Sequence, residues 1–298
     1  MSSINVIGAA CVDLLITGVD QERFFSGKHK VSKIETSFGG DALNEAFVLN
    51  ALLDDVSLKT VLGKDAYGDL ILNELNKRNI GYEKDILKDN IDTYLSLVLI
   101  DRDGQRSFVG PENGSSRLLD IDDIRIDEDC KIVSFASLFI SKMMDSDKYE
   151  TLFSMIKEKE IVLCVDTSTP KNNEKAKDLP YLKYIDYFFC NESEAYALCD
   201  CDDPYVCEKI LCDSGIRHVI IKLGEKGCLC QGKIYPPERK IRCIDSTGAG
   251  DSFVSGFIHF LNNGKGIEEC IAFANRCGTK ACEYIGATSW LEDISEII

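Results

Sequence analysis

The sequence predicts an α/β fold in three layers, in which helices cover both faces of a mostly parallel β-sheet and a small second β-sheet forms a lid. The first observation is that short, continuous apolar runs, such as 161–166 and 187–190, alternate with helical patterns. Strands that are buried on both faces of a parallel sheet have this continuous apolar character. The second observation is that two segments, 15–37 and 91–110, show strand-like patterns outside that rhythm, which favours a separate sheet.

Hydrophobic periodicity predicts the individual elements in chain order. Strands are expected where short apolar runs are bounded by turn residues, at 5–8, 56–62, 94–100, 106–109, 132–135, 161–166, 187–190 and 218–223. Helices are expected where apolar residues recur three and four positions apart, at 42–53, 67–78, 148–159, 192–198, 205–213, 250–261 and 267–284. An exposed hairpin is expected over 20–37, and a turn over 101–104. We therefore expect one domain over 1–298, with its lid formed by 15–37 and 91–110.

Composition limits the class of protein. The chain has 298 residues, of which 45% are hydrophobic, so it can bury a large core. Its 34 Lys and Arg residues against 50 Asp and Glu residues give a formal charge of −16. So acidic a chain repels a phosphate backbone at long range, which argues against nucleic acid as a partner.

Cysteine usage bears on the cellular compartment. The chain has 14 cysteines, and several fall inside apolar runs, which is typical of reduced, buried thiols in a cytosolic protein. A structural zinc site is the less favoured interpretation of the densest group, which has no C-x₂-C pair: Cys199, Cys201, Cys207 and Cys212. The N-terminus lacks a basic segment, and Asp13 interrupts its apolar stretch, so we expect no signal peptide. No run is long enough to span a membrane, and we expect a cytoplasmic protein without a membrane partner.

The segment 245–251, with the sequence DSTGAGD, precedes a predicted helix and carries the main chemical signal. The small residues Gly248, Ala249 and Gly250 allow a tight turn, and their N–H groups would lie at the positive end of the helix. Such a helix start binds anions and would stabilise charge on a transferring phosphoryl group. Asp251 beside it could accept a proton from a substrate hydroxyl as a general base. The competing interpretation is a capped helix with an ordinary glycine turn.

Two further segments fit nucleotide binding, although each has a plainer interpretation. The glycine turn at 222–227 follows an apolar strand and could lie against a nucleotide, but a hairpin turn would look the same. Asn191 and Glu194 lie at a strand end and could hold Mg²⁺ through water molecules, but they also fit an ordinary acidic helix start. The sequence contains no G-x-x-x-x-G-K-[ST] motif, and no G-x-G-x-x-G follows the first strand. Phosphate binding would therefore use a structural motif other than these two.

Taken together in this order and spacing, the motifs resemble those of the ribokinase-like carbohydrate kinases, also called the PfkB family. The most specific parts are 245–251 and 39–44, the latter with the sequence GGDALN. Supporting parts, which extend the resemblance along almost the whole chain, are 8–13, 103–108, 191–194 and 222–227. The resemblance implies the three-layer ribokinase-like fold with a β lid that closes over the acceptor, and MgATP as the phosphoryl donor.

The resemblance also implies roles for particular residues. It makes Asp251 the catalytic base, with the anion hole formed by Gly248, Ala249 and Gly250. It places Asn191 and Glu194 near Mg²⁺ and the phosphates. The residues that would border the nucleotide are Lys222, Gly224 and Gly227, with Asn275 near the adenine. The residues that would contact the acceptor hydroxyls are Asp13, Gly39, Gly40 and Asn44. Some members of the family hold a monovalent cation, such as K⁺, at the position of Asp245.

The presumed acceptor pocket departs from the ribokinase pattern, because Asp41 stands where those enzymes have a lysine. Carboxylates at Asp13 and Asp41 would accept hydrogen bonds from hydroxyls and repel an anionic acceptor. We therefore expect a neutral acceptor that is phosphorylated on a hydroxyl, a primary alcohol of a free sugar. Arg102 and Arg106 could reach the site from the lid, but a solvated hairpin surface is the favoured interpretation for both.

Two alternative functions and the oligomeric state remain open at this stage. A nucleoside kinase would need an aromatic shelf for its base, for which core packing is an equally good explanation of the candidates Phe38, Tyr94 and Phe108. A non-catalytic ligand-binding protein is less favoured, because the 248–251 segment is intact. An exposed apolar face on the lid would favour a homodimer formed through that sheet.

Overall fold

The computed structural model describes residues 3–20, 27, 30–102, 105–170 and 173–297, which form two principal β-sheets and seven α-helices. The strands are β1 Ile4–Ile7, β2 Cys11–Val19, β3 Lys33–Gly39, β4 Val56–Lys59, β5 Leu62–Gly63, β6 Gly81–Tyr82, β7 Leu87–Lys88, β8 Leu95–Asp101, β9 Arg106–Val109, β10 Ile132–Leu138, β11 Val162–Thr167, β12 Tyr187–Asn191, β13 His218–Lys222, β14 Cys228–Cys230 and β15 Lys233–Tyr235. The helices are α1 Asp41–Ala51, α2 Ala66–Arg78, α3 Ser146–Glu158, α4 Glu192–Cys199, α5 Pro204–Asp213, α6 Ala249–Asn262 and α7 Ile267–Ala281.

The larger sheet has nine strands in the order β15-β14-β13-β12-β11-β10-β1-β4-β6. All neighbouring pairs from β13 to β6 are parallel, and β14 pairs antiparallel with both β13 and β15. The carboxyl ends of the parallel strands therefore lie along one edge, where ligands bind in open α/β sheets.

Helices cover both faces of this sheet. Alternate residues of each strand point to opposite sides, so one strand contributes side chains to both cores. On one face, Leu163 and Val165 of β11 join a core that includes residues of α3, α4 and α5. On the other face, Cys164 joins a core that includes residues of α1, α2, α6 and α7. This arrangement confirms the predicted three-layer α/β fold and explains why the central strands read as continuous apolar runs.

The second sheet has four strands in the order β3-β2-β8-β9, and the segments 15–37 and 91–110 both contribute to it. Strand β2 pairs antiparallel with β3 and parallel with β8, while β8 and β9 form a hairpin. Residues 21–26 and 28–29 of the hairpin predicted over 20–37, and the turn residues 103–104, lie outside the described residues. A third, two-stranded pairing joins β5 and β7.

Most predicted elements agree with the structure to within two or three residues at each end, with some differences. The apolar run 56–62 is divided between β4 and β5, and β2 begins at Cys11, before the predicted start of the lid. The short strands β6, β7, β14 and β15 had no sequence prediction, because strands of two or three residues carry too little periodicity. Within the described part of the chain, no helix has the length and apolar character that crossing a membrane requires.

Candidate active site

The glycine-rich segment forms the start of α6, one residue before the predicted position. Gly248 has φ 72°, and a Cβ added there would lie 2.6 Å from the Cα of Ala287, so a side chain is excluded by both conformation and space. Trp290 donates its indole N–H to the hydroxyl of Ser252 at 3.1 Å, which anchors the first turn of α6 from the C-terminal segment. The N–H groups in the first turn of a helix have no acceptor within the helix, and those without another partner can bind an anion.

One of the three predicted anion-hole residues is partly engaged in the structure. The N–H of Ala249 donates to the carbonyl oxygen of Ser246 at 3.2 Å and closes the turn that leads into α6. Gly250 lies beside a lysine, because a Cβ added to it would come within 3.3 Å of Nζ of Lys222. The helix start therefore combines backbone donors with a nearby ammonium group.

Asp251 is held by a side chain from a helix that is distant in the sequence. Asn44 on α1 donates from Nδ2 to Oδ2 of Asp251 at 2.7 Å. Asn44 is buried, and its Oδ1 has no hydrogen-bond partner among the described residues. An unpaired buried acceptor is costly, so this oxygen is suited to receive a hydrogen bond from a ligand hydroxyl.

Burial sets the protonation of Asp251. Removal from water raises the pKa of the carboxyl to about 6, and the charge of Asp166 adds to the rise. The hydrogen bond from Asn44 and the charge of Lys222 act in the opposite direction. The pKa therefore lies close enough to neutrality for the group to be an ionised base near pH 7 that still accepts a proton readily.

Lys222, at the end of β13, pairs with Asp166, near the end of β11. Its Nζ lies 2.8 and 2.9 Å from the two carboxylate oxygens. The lysine side chain is 17% exposed and the aspartate 6%, so the pair is largely removed from water. Burial by itself would lower the pKa of Lys222, but Asp166 and Glu194 raise it above its usual range, so the ammonium stays charged.

Asn191 and Glu194 form a capping box at the start of α4. Oδ1 of Asn191 accepts from the N–H of Glu194 at 2.9 Å, and Oε2 of Glu194 accepts from the N–H of Asn191 at 2.8 Å. The plainer interpretation of this segment, a capped helix start, is therefore confirmed. Burial also raises the pKa of Glu194 to about 7, against the lowering effect of Lys222, so the group faces the charged cluster as well as the helix.

The oxygen-rich surroundings fit a hydrated Mg²⁺ ion bound with phosphates. Magnesium prefers carboxylate, phosphate and water oxygens, and Glu194 and Asp166 lie together at the carboxyl edge of the sheet. Burial raises the pKa of both carboxyls, and the charge of Asp166 adds to the rise at Glu194, so a divalent cation placed beside them would favour their ionised forms. Among the described residues, no cluster of three or more His, Cys, Asp or Glu side chains forms a metal cage of protein ligands alone. The four cysteines that the sequence analysis grouped together are all free thiols: Cys199, Cys201, Cys207 and Cys212.

The remaining residues predicted to border the nucleotide lie near the same edge. Gly224 and Gly227 belong to the turn that joins β13 to β14, so the hairpin interpretation of this segment is confirmed. Gly227 has φ 89°, and the carbonyl of Tyr235 passes too close to admit a side chain. Asn275 on α7 donates to that same carbonyl at 3.0 Å, so it ties α7 to the end of β15.

The residues predicted to contact the acceptor lie where β3 leads into α1. Gly39 packs directly against the carboxylate of Asp13, which leaves no space for a side chain, and Gly40 has φ 90° beside the carbonyl of Ala9. Burial raises the pKa of Asp13, while Cys11, Ser96 and Arg106 act to lower it. The two glycines thus bring the backbone of the α1 start against Asp13.

The surroundings of Asp41 bear on the charge that the sequence suggested for it. Burial raises the pKa of its carboxyl well above the usual range, and repulsion from Asp251 and Asp166 adds to the effect. A protonated Asp41 does not repel an anionic acceptor. It can instead donate a hydrogen bond as well as accept one, as it does from the Ser137 hydroxyl at 3.4 Å. The argument for a neutral acceptor therefore depends on Asp13 more than on Asp41.

Arg106 corrects the interpretation of the lid arginines. Instead of a solvated side chain, it is 16% exposed and reaches from β9 to the segment before α6. Its guanidinium pairs with Asp245 through Nη2 and donates from Nη1 to the hydroxyl of Thr247 at 2.7 Å. Arg102, in the turn after β8, is exposed as expected.

Sequence reasoning missed Asp166, and it considered Arg106 as able to reach the site but favoured a solvated surface for it. A carboxylate near the carboxyl end of a predicted parallel strand was a usable signal for Asp166, since those strand ends share an edge with Lys222. For Arg106, the alternation along β9 was a signal that its side chain shares a face with Phe108. Which face of β9 points towards the site depends on how the two sheets face each other.

Comparisons with known proteins agree with this architecture. Residues 1–294 match the family described as "pfkB family carbohydrate kinase". A ribokinase of Arabidopsis thaliana is 26% identical over 316 aligned positions, which cover 98% of this chain and 79% of that protein. The structure of an Arabidopsis thaliana ribokinase complexed with ribose and ATP superposes with a TM-score of 0.79 at 21% identity, covering 99% of this chain and 98% of that one. An adenosine kinase from Sinorhizobium meliloti superposes with a TM-score of 0.82 at 18% identity, covering 100% and 99% of the two chains.

Proposed function

The chain belongs to the pfkB family of carbohydrate kinases, and from that premise we propose that it transfers the γ-phosphoryl group of ATP to a primary hydroxyl of a neutral sugar. The observation that carries this proposal is the joint position of Asp251, Asn44 and Lys222 at the glycine-rich start of α6. A base, a hydroxyl acceptor site and an anion-binding helix start are the three parts that phosphoryl transfer to an alcohol requires.

In the proposed reaction, Asp251 takes the proton of the acceptor hydroxyl as its oxygen attacks phosphorus. The bond between that phosphorus and the bridging oxygen of ADP breaks, and ADP leaves with the electron pair. Backbone N–H groups of Gly248 and Gly250 and the ammonium of Lys222 stabilise the negative charge on the transferring group. Asn44 orients Asp251 through its amide and offers its unpaired Oδ1 to a neighbouring hydroxyl of the acceptor.

The donor is proposed to be MgATP, as the shared architecture with an ATP-bound ribokinase supports. Mg²⁺ would supply positive charge that offsets the phosphate oxygens, held through water by Glu194 and Asn191. The nucleotide would lie along the turn of Gly224 and Gly227, with the adenine near Asn275. On the acceptor side, Asp13 would accept hydrogen bonds from sugar hydroxyls, with Gly39 and Gly40 giving the sugar close access to the backbone and Asp41 donating or accepting as needed.

An ATP-consumption screen against free sugars, polyols and nucleosides tests this proposal. We expect turnover with at least one neutral sugar, and a fall of about 10²–10⁴-fold when Asp251 is replaced by Asn. A non-catalytic binding protein would instead show ligand-induced thermal stabilisation without ATP consumption by any acceptor in the panel. Equal turnover by the Asp251→Asn variant would contradict the assigned base.

A nucleoside acceptor is the second candidate, and the position of Phe108 favours it. Phe108 is 65% exposed and lies opposite Val98, on the face of the four-stranded sheet that also carries Arg106. Phe38, by contrast, packs edge-on against Phe47 in the core. An exposed ring on the inward face is available as a shelf for a base. If the acceptor is a nucleoside, Phe108→Ala should raise its KM and leave free-sugar turnover unchanged.

The assembly and location of the protein are further parts of the proposal. The other face of the four-stranded sheet aligns Ile34 with Ile16 and Ile16 with Leu99, and Val109 lies opposite Leu97. Ile34 is 62% exposed, and we propose that a second copy of the chain covers this apolar face to form a homodimer.

A cytoplasmic location is supported by the 14 free cysteines.

A further inference from the structure

The carboxylate of Asp245 is fully engaged by groups of the protein. Oδ1 accepts from the N–H of Thr247 at 3.0 Å and from its hydroxyl at 2.8 Å. Oδ2 accepts from the N–H of Gly286 at 2.7 Å and from the Arg106 guanidinium. Two oxygens of a carboxylate offer about four lone-pair sites in all, so the donors present already use them.

Arg106 also supplies the charge that the carboxylate needs. The Asp245 side chain is 5% exposed, and a buried carboxylate without a cationic or hydrogen-bonding partner is strongly disfavoured. A guanidinium against a carboxylate neutralises it and adds directional hydrogen bonds. A monovalent cation bound to Asp245 would meet the guanidinium at short range and be repelled by it. The residues present at this position therefore do not fit the K⁺ site that the family resemblance suggested.

We propose that the Arg106 guanidinium is the built-in counter-ion of Asp245, so that this kinase needs no monovalent cation, and that the same contact fastens β9 to the start of α6. The cation-binding part stands independently, while its consequence for turnover rests on the proposed kinase function. Through Nη1 the same side chain holds Thr247, the residue before Gly248. Arg106 thus acts as a positioning residue: it sets the segment whose backbone would bind the phosphoryl group.

The link joins two parts of the active site, one on the four-stranded sheet and the other in the segment that precedes α6. Arg106 interacts electrostatically with Asp13 of β2 as well as with Asp245. Asp13 belongs to the proposed acceptor pocket, and Asp245 to the segment before the catalytic helix. Arg106 therefore ties the four-stranded sheet to the segment that leads into the catalytic helix.

Cation dependence of thermal stability tests the proposal without any substrate. The melting temperature of the full-length protein should be the same in potassium chloride as in tetramethylammonium chloride at equal ionic strength, because the large cation cannot enter a carboxylate site. Arg106→Gln removes the counter-ion, and this variant should be stabilised by potassium over tetramethylammonium. Arg106→Lys keeps a positive charge and should again show no potassium-specific shift. Arg102→Gln, in the exposed turn of the same hairpin, is the matched control and should behave as the unmodified protein.

Each outcome decides the question. A potassium-specific shift in the unmodified protein would show that a cation binds in spite of Arg106 and would overturn the proposal. Equal melting temperatures in the two salts for Arg106→Gln as well would show that Arg106 is not what excludes the cation, which also contradicts it. Once an acceptor is known, kcat of Arg106→Gln should fall and recover in part with potassium, while the unmodified enzyme should keep the same kcat in both salts. Failure to find any acceptor would count against the proposed function and leave the thermal result unaffected.

Discussion

Asn44 and Asp251 are 207 positions apart in the chain, yet the Asn44 amide donates to the Asp251 carboxylate at 2.7 Å. The contact joins α1, which follows the four-stranded sheet, to α6, which begins at the glycine-rich turn. It fixes the direction of the proposed base and favours its ionised form. This contact leads to the first prediction.

Asn44→Ala should shift the acid limb of the pH profile of kcat/KM to higher pH. Asp251 must be ionised to accept a proton, so activity is lost as the pH falls through its pKa of about 6. Removing the Asn44 hydrogen bond destabilises the carboxylate and raises that pKa, so activity should disappear at a higher pH than in the unmodified enzyme. Asn50→Ala, at the other end of α1, is the matched control. An unchanged acid limb in Asn44→Ala would show that the limb does not report the pKa of Asp251.

Lys222→Met should weaken ATP binding and also destabilise the fold. Removal of one partner from a largely buried ion pair leaves the Asp166 charge uncompensated, at a cost of about 3–5 kcal/mol in unfolding free energy. Adding Asp166→Leu removes the orphaned charge and should restore most of the stability without restoring ATP affinity. Denaturant unfolding and ATP titration measure the two effects separately. Full ATP affinity in the double variant would show that Lys222 serves structure alone.

Glu45→Gln should flatten the pH dependence of stability. Glu45 is fully buried, accepts from the Ser134 hydroxyl at 2.5 Å, and has a pKa raised well above its usual range by burial. A carboxyl whose folded pKa is raised contributes stability below its unfolded pKa, and loses it as the pH rises toward the folded value, by about 1.4 kcal/mol per pH unit. Between pH 5 and pH 8 the unfolding free energy of Glu45→Gln should therefore decline less steeply than that of the unmodified protein. Exposed Glu158→Gln is the control, and an equal slope in all three proteins would mean that Glu45 is ionised in the fold.

Ile34→Lys should convert the proposed homodimer into monomers. Ile34 lies on the apolar face of the four-stranded sheet, and a lysine ammonium cannot be buried there without a partner. Sedimentation velocity gives the assembly state directly. Leu53→Lys changes another exposed apolar residue, just beyond α1, and should leave the assembly intact. A dimer that survives Ile34→Lys would place the subunit contact elsewhere.

The sequence was sufficient for the fold class and for the glycine turn at the start of α6, because both leave local signals. Gly248 had to be glycine for its backbone conformation, and the apolar runs had to be strands buried on both faces. The interpretation of Arg106 was wrong because local pattern gives no measure of how closely one sheet approaches another. The raised pKa of Asp41 was also beyond reach, since it results from burial beside Asp251 and Asp166.

The most direct test of the account is phosphotransfer by Asp251→Asn, measured with the acceptor that the ATP-consumption screen identifies. Asparagine keeps the shape of the side chain but cannot take the hydroxyl proton, and loss of a positioned general base lowers turnover by about 10²–10⁴-fold. ATP binding and the melting temperature should be close to those of the unmodified enzyme, and Asp147→Asn, exposed on α3, should retain full activity. A fall of that size with intact ATP binding is the result we predict. Turnover equal to that of the unmodified enzyme would contradict the assignment of Asp251 as the base and, with it, the central claim.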